Sequence, residues 1–346
     1  MVQSGVARID NLLAGTGASL AAGDTDALAV GLVQDLLRGQ GYRRMPSVLD
    51  ASRGTFGKGT KKAVVAFRKA TNLPDGDAVD QNTLLKLVRR PATEPIASQG
   101  YVTLVLGIEF TSLVKLVALV AAVEGGGKFA SLCKNTDTAG LSVGIIQWAQ
   151  KPGALHELLG KFVDGTTMAA GADKQPDLTN QIFGGAAPFT GLRTLTGLAK
   201  GGLNADGTAK NAAFDLVRDP WVGRFKAASL KPELQIIQMN AAVDRFKGSV
   251  DKIKANMPKI TSERGTAFMV DLANQFGDGG ANSVYNAVEA AATTEADLLV
   301  KVRDESAARL ESIFKAKGKS EQTRKKIVAA GLARRQFFID TPLLGG

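Results

Sequence analysis

The chain has 346 residues, 45% hydrophobic and 22% charged, enough for two domains and at least one sizeable core of ordinary globular composition. A single cysteine, Cys133, and a single histidine, His156, rule out an intrachain disulfide and a cysteine or multi-histidine metal cluster, and argue against a Ser-His-Asp triad. The formal net charge of +10 favours a polyanionic partner, but aromatics make up only 6% and none is interleaved with the basic residues, which weighs against a nucleic-acid reader.

Residues 1–25 are rich in Gly, Ala and Ser and read as a poorly ordered or loosely helical lead. Arg8 and Asp10 interrupt its weak apolar pattern, so it does not read as a cleaved signal peptide. A compact unit is expected over 26–90. Its first helix, Ala27 to Gly39, places Val30, Val33, Leu36 and Leu37 on one face, and Gly41 follows as a stop. Thr60 is expected to cap a second helix in which Ala63, Val64 and Phe67 recur at helical spacing. Leu73-Pro74-Asp75-Gly76 marks a turn, and Gln81 to Val88 a short third helix.

Residues 91–99, with Pro91 and Pro95 among polar neighbours, read as a linker. The remaining 100–346 are expected to form a second, mainly helical domain. Tyr101 to Val123 is strongly apolar, but Glu109 and Lys115 interrupt it. It is a buried core helix with a short lead-in rather than a membrane span, which needs about 20 nearly uncharged residues. Further apolar periodicity falls near 153–163, 211–217, 233–247, 265–275, 284–302, 305–316 and 321–333. The segment 164–210 is rich in Gly, Ala and Thr and is expected as a long irregular connection.

Glu124 closes the apolar stretch Phe110 to Val123 and is followed by Gly125, Gly126 and Gly127. A carboxyl at the end of a buried helix favours its protonated form, because desolvation penalises charge. Asp137 follows in a polar turn, where a carboxylate would stay ionised. Two carboxyls in unlike environments suit glycosidic cleavage: one donates a proton, the other activates water. Gly140 to Trp148 alternates enough to predict a short β-hairpin or ribbon, and Pro152-Gly153 opens a helix carrying Leu155, Leu158 and Leu159. The bland readings stand beside these. Glu124 is otherwise a solvated helix end, Asp137 a turn former or helix cap, Ser142 an ordinary ribbon residue, Trp148 a core residue and Gln147 a structural amide. His156 reads as a surface or satisfied helix residue.

Two resemblances sharpen the reading. The runs V-G-L-V-Q-D-L-L-R-G-Q-G-Y, G-T-F-G-K-G-T-K-K-A-V-V-A-F-R and L-P-D-G-D-A-V-D-Q-N-T-L-L-K-L, covering nearly all of 28–88, resemble the three-helix peptidoglycan-binding domain of bacterial and phage cell-wall enzymes. Two departures stand out: the segment Arg43 to Arg53 is longer than usual, and Arg68 stands where a Gln usually follows the Phe. The order helix with terminal Glu, turn with Asp, small ribbon, helix resembles the lysozyme-like superfamily. Within it, T-D-T-A-G-L-S-V-G-I-I-Q-W-A-Q-K-P-G-A-L-H-E-L-L is similar to the bacterial chitosanases, as is F-M-V-D-L-A-N-Q-F-G-D-G-G. Leu141 replaces an aromatic of that pattern and Phe276 replaces its His.

The resemblance implies a mainly α protein, with a small three-helix module joined to a lysozyme-superfamily α+β domain. It implies Glu124 as general acid, Asp137 as general base and Ser142 as holder of the attacking water. Gln147 and Trp148 would contact sugar, and Asn274, Phe276 and Asp278 would form an opposite wall. The function implied is a peptidoglycan hydrolase cleaving between N-acetylmuramic acid and N-acetylglucosamine. Such an enzyme would need no cofactor or metal, would act as a monomer with peptidoglycan as partner, and would neither bind nucleic acid nor insert stably in a membrane. It would be made in the cytoplasm and act on the wall after release. A lytic transglycosylase, a chitosanase and a non-catalytic wall-binding virion or tail component are the alternatives.

Overall fold

The computed structural model describes residues 4–136, 138–161, 178, 181–182, 202–341 and 344. The protein is mainly helical with one small three-stranded antiparallel sheet. It divides into two compact units, Met1–Ala242 and Val243–Gly346. No helix among the described residues is long and apolar enough to cross a membrane.

The first unit begins with α1 (Ala7–Ala14), which buries Ile9, Leu12 and Leu13. The lead is thus a formed helix, not a loose one. Two long-range ties order it. The Gln81 side chain donates to the Leu13 carbonyl, and Leu20 pairs as an isolated bridge with Val79. The next helix, α2 (Ala27–Gly39), matches its expected limits; Asp26 caps it by accepting the Ala29 N–H at 3.0 Å. Helix α3 (Lys58–Ala70) starts earlier than expected, with Gly57 as N-cap. Thr60 does not cap it, because its buried hydroxyl is already engaged by Gln34 Nε2 at 2.9 Å. Asp80 caps α4 (Gln81–Arg89) through the Thr83 N–H.

Arg68, the departure from the module's usual pattern, is nearly buried and works as a brace. It donates to the carbonyls of Pro74 and Ala78, to the Asp80 carboxylate at 2.8 Å and to the Thr83 hydroxyl at 2.6 Å, and so fixes the α3–α4 turn. Burial works to raise the Asp80 pKa, but the hydrogen bonds from Arg68 and Thr83 outweigh it and hold the carboxyl below its ordinary range.

Residues 91–99 are tied down on both sides. Glu94 pairs with Arg43 and with Lys128, and the Ala97 N–H donates to the Gly127 carbonyl at 2.7 Å. Ile96 and Ala97 are buried. Helix α5 (Gln99–Leu104) then packs on α2. Gly100 permits the approach, since a Cβ there would lie 2.5 Å from the Leu32 carbonyl oxygen; its N–H donates to buried Asp35, which also holds Arg53 at 2.8 Å. Leu104 joins the same apolar core as α1 to α4.

After the central region come α7 (Ala154–Gly160), a 3-10 turn Ala212–Phe214, α8 (Trp221–Ser229) and the long α9 (Pro232–Asn256), which runs through the boundary between units. Most of the segment 164–210 lies outside the described residues.

The second unit holds the rest of α9, then α10 (Glu263–Val288), α11 (Glu295–Ala316) and α12 (Glu321–Asp340). The periodicity expected over 284–302 is broken by a 3-10 turn Glu289–Ala291 and by Thr294, which caps α11. Glu295 accepts from the Thr261 and Ser262 hydroxyls at 2.7 Å and so fixes the entry to α10. At its centre Asp271, fully buried, accepts from Arg334 at 2.6 and 2.9 Å and from Arg335; Arg335 also reaches Gln275.

Candidate active site

Helix α6 (Ser112–Gly125) starts at Thr111, whose hydroxyl accepts the Val114 N–H. Val114 and Leu116 to Ala121 are buried, as the apolar run requires. The helix ends because Gly126 takes the left-handed conformation (φ 67°), with its N–H on the Ala122 carbonyl and that of Gly127 on Ala121. Glu124 therefore sits in the last turn, half-buried. Its neighbour Gly125 lies hard against the segment that enters the sheet: a Cβ on Gly125 would fall 2.7 Å from Ser131 Oγ.

The sheet consists of β1 (Leu132–Lys134), β2 (Leu141–Val143) and β3 (Trp148–Ala149), in that order. Leu132 pairs with Val143, Cys133 with Ser142, Ser142 with Ala149 and Val143 with Trp148. The ribbon expected from the sequence thus has a third strand, β1. Ser142 is buried in the middle of β2. Trp148 is 3% exposed, so its ring fills core and offers no open face to a ligand. A Cβ on Gly144 would lie 3.0 Å from that ring. Gln147 takes a left-handed backbone (φ 55°), and its side-chain amide donates to the Gly144 carbonyl at 2.8 Å, closing the β2–β3 turn.

Asp137 lies outside the described residues. The turn around it is described. The Asn135 N–H donates to the Gly140 carbonyl, and the Gly140 N–H returns to Asn135 Oδ1 at 3.0 Å. A loop at 202–210 docks on this turn. Asn135 Nδ2 donates to the Asp206 carbonyl at 3.1 Å, and Lys151 Nζ to that of Ala205 at 2.7 Å. Gly207 (φ 81°) is required there, since a Cβ would sit 2.6 Å from the Thr138 carbonyl oxygen. The Thr208 hydroxyl and N–H hold the Asp206 carboxyl below its ordinary pKa.

Sequence reasoning missed a set of buried amides that hold this region. Gln150 Oε1 accepts the Leu141 N–H at 3.1 Å. Gln238, on α9, accepts the Ile145 N–H at 3.1 Å and donates to the Phe129 carbonyl at 3.3 Å. Gln235, one turn earlier, accepts from the Tyr101 hydroxyl at 2.9 Å. Burial drives that phenol up to about 12 against the opposing pull of Gln235, so it stays protonated and donates. The signal was present: Gln235 and Gln238 interrupt the apolar stripe Leu234, Met239 and Ala242 on one helix face.

The remaining expected residues belong to the second unit. Asn274, Phe276 and Asp278 are half-buried near a break in α10, where Gly277 is non-helical (φ 75°, ψ 161°). The glycine-rich segment 277–280 is a kink, and the helix resumes through Gly279 and Gly280. Asp278 accepts from the Ser249 hydroxyl at 2.8 Å and from Lys252. Burial pushes its pKa up, but those bonds and the charges of Lys252 and Arg245 prevail, so it lies below the ordinary carboxylate value.

A cavity of about 30 Å³ opens beside the end of α6, lined by Asp35, Arg38, Ser98, Ala122, Gly126 and Gly127 among others. It has room for a water, not a sugar. Among the described residues no three His, Cys, Asp or Glu side chains gather as a metal site. No protein-family model matches the sequence, and no curated protein matches it.

Proposed function

We propose that this chain is a peptidoglycan hydrolase that cleaves the glycan strand between N-acetylmuramic acid and N-acetylglucosamine, with Glu124 as the general acid. The observation that carries the reading is the junction of helix and sheet. Glu124 ends an apolar helix whose next residue, Gly125, packs against Ser131, and Ser131 in turn accepts the Gly144 N–H from the β2–β3 turn at 2.8 Å. The backbone that carries Glu124 is thus held against the segment entering the sheet, and an anchored backbone is what positioning a proton donor to a glycosidic oxygen requires. The three-helix pattern at 28–88 and the charge of +10 add support for an anionic wall polymer as substrate.

In this mechanism Glu124 protonates the leaving oxygen while Asp137 takes a proton from water on the opposite face. Inversion results, with the carboxyls roughly 6.5–9.5 Å apart. The burial of Ser142 in β2 removes one holder for that water and favours a second reading, a lytic transglycosylase that needs only Glu124. Mass spectrometry of fragments released from purified peptidoglycan in heavy-oxygen water separates them. Labelled reducing ends, lost in Glu124→Gln and in Asp137→Asn, are expected for the hydrolase. Anhydro ends that survive Asp137→Asn identify the transglycosylase. No product from the wild type, or full activity in Glu124→Gln, overturns both.

A further inference from the structure

The segment after α2 builds a second feature that glycan cleavage does not use. A cavity of about 400 Å³ lies between the start of the 43–53 segment and α3. That volume falls within the range of small-ligand sites, roughly 300–1,000 Å³. Its lining includes four cations, Arg43, Arg44, Lys58 and Lys62, and no carboxylate. Glu94 offsets Arg43 at 3.3 Å. The side chains of Arg44, Lys58 and Lys62 make no ion pair or hydrogen bond among the described residues, and all three are exposed.

The floor is apolar: buried Met45, and half-buried Tyr42, whose ring meets Phe67 edge-on at 6.4 Å. Burial raises the Tyr42 pKa against the charge of Arg90, so its hydroxyl remains a donor. The positive end of α3 adds to the field, because Lys58 and Gly59 line the cavity and Gly57 supplies no side-chain cap.

Three uncompensated cations above an apolar floor, in a space larger than one anion fills, suit a ligand with several fixed negative charges joined by short carbon links. We propose that this cavity binds a phosphate-bearing polymer whose ionised phosphodiesters are spaced by polyol units. The site serves retention on an anionic surface, and its occupancy is independent of Glu124. Multiple weak anchors on one polymer raise effective concentration without any new catalytic contact.

The test is calorimetric titration of the full chain with a short poly(glycerol phosphate) at physiological salt. Saturable binding is expected. The combined variant Arg44→Ala/Lys58→Ala/Lys62→Ala should weaken it about 10-fold or more, since it removes three of the four cations that line the cavity. Lys319→Ala/Lys325→Ala/Lys326→Ala, which removes the same charge elsewhere, should change it less than about 2-fold, since none of the three lines the cavity. If the first variant melts early, Lys62→Glu alone must still weaken binding. Equal losses in the two triple variants, no loss in either, or no saturable binding overturn the proposal. Poly-glutamate or duplex DNA binding as tightly through Arg44, Lys58 and Lys62 overturns it too, by assigning the site to carboxylates or to nucleic acid.

Discussion

The two units satisfy their buried polar atoms by different chemistry. In Met1–Ala242 the work falls mainly to neutral amides. Gln34 accepts the Gly54 N–H and donates to the Thr55 carbonyl and the Thr60 hydroxyl; Gln238 likewise accepts the Ile145 N–H and donates to the Phe129 carbonyl, and Gln150 accepts the Leu141 N–H. Two charged groups are exceptions, Asp35 held by Arg53 and the nearly buried Arg68 held by Asp80. In Val243–Gly346 the buried centre is ionic, with Asp271 between Arg334 and Arg335. The difference follows from the backbone each must serve. A turn or short strand offers both unpaired N–H and unpaired C=O groups, and an uncharged amide can answer both at once. Helices satisfy their own backbone, so the side chains between them are free to pair as ions. Leaving an amide's partners unpaired costs less than leaving a charge unpaired.

That contrast can be tested in order of expected effect. Deleting residues 1–95 removes most of the core that Leu104 joins, together with the carboxylate that holds Gly100. The remainder of the first unit is expected to lose its cooperative melt; a truncated chain that still melts sharply would mean that the helices at 27–89 are a separable module. Asp271→Ala leaves two guanidinium groups without their carboxylate and should destabilise the second unit by about 3–5 kcal/mol in denaturant titration. Replacing Asp271, Arg334 and Arg335 together by Leu and Met should restore most of that loss, which a structural role for the ions beyond their mutual pairing would prevent.

Gln238→Leu strands the Ile145 N–H and the Phe129 carbonyl and should cost about 1–3 kcal/mol. Faster amide exchange at Ile145 is the specific sign, and unchanged protection there would refute the hydrogen bond. Smallest is Lys252→Ala. The Asp278 carboxyl has a folded pKa below its unfolded one, so its contribution is full above the unfolded value and drains as pH falls through the folded one. Loss of Lys252 should move the Asp278 titration upward, toward the ordinary value, and flatten the acid limb of the stability curve. An unmoved titration in carboxyl-detected NMR contradicts this.

The apolar spacing of α2, α4 and α6 and the glycines behind α2 and α6 are local signals and were legible in the sequence; the caps Asp26, Asp80 and Thr111 are what the structure adds. The sequence hid what depends on distant partners. Leu12 and Leu13 sit in a Gly- and Ala-rich lead, and their helix is fixed by Gln81 and Val79, far along the chain. Thr60 has the chemistry of a cap, but a glutamine from another helix holds its hydroxyl. Glu124 was singled out by the glycines behind it, whereas Gln150 and Gln238 look like any glutamine until the sheet they serve is in place. Trp148 and Gln147 read equally as core or contact; the register with Val143 buries the first, and the turn's own carbonyl takes the second.

Both tryptophans, Trp148 and Trp221, are buried in the first unit, and the second has none. Intrinsic tryptophan emission therefore follows the unfolding of Met1–Ala242 alone, while far-ultraviolet dichroism follows the helices of both units. The protein carries its own pair of optical channels, and a gap between the two melting curves would measure, without any label or substitution, how independently its amide-held and ion-held interiors come apart.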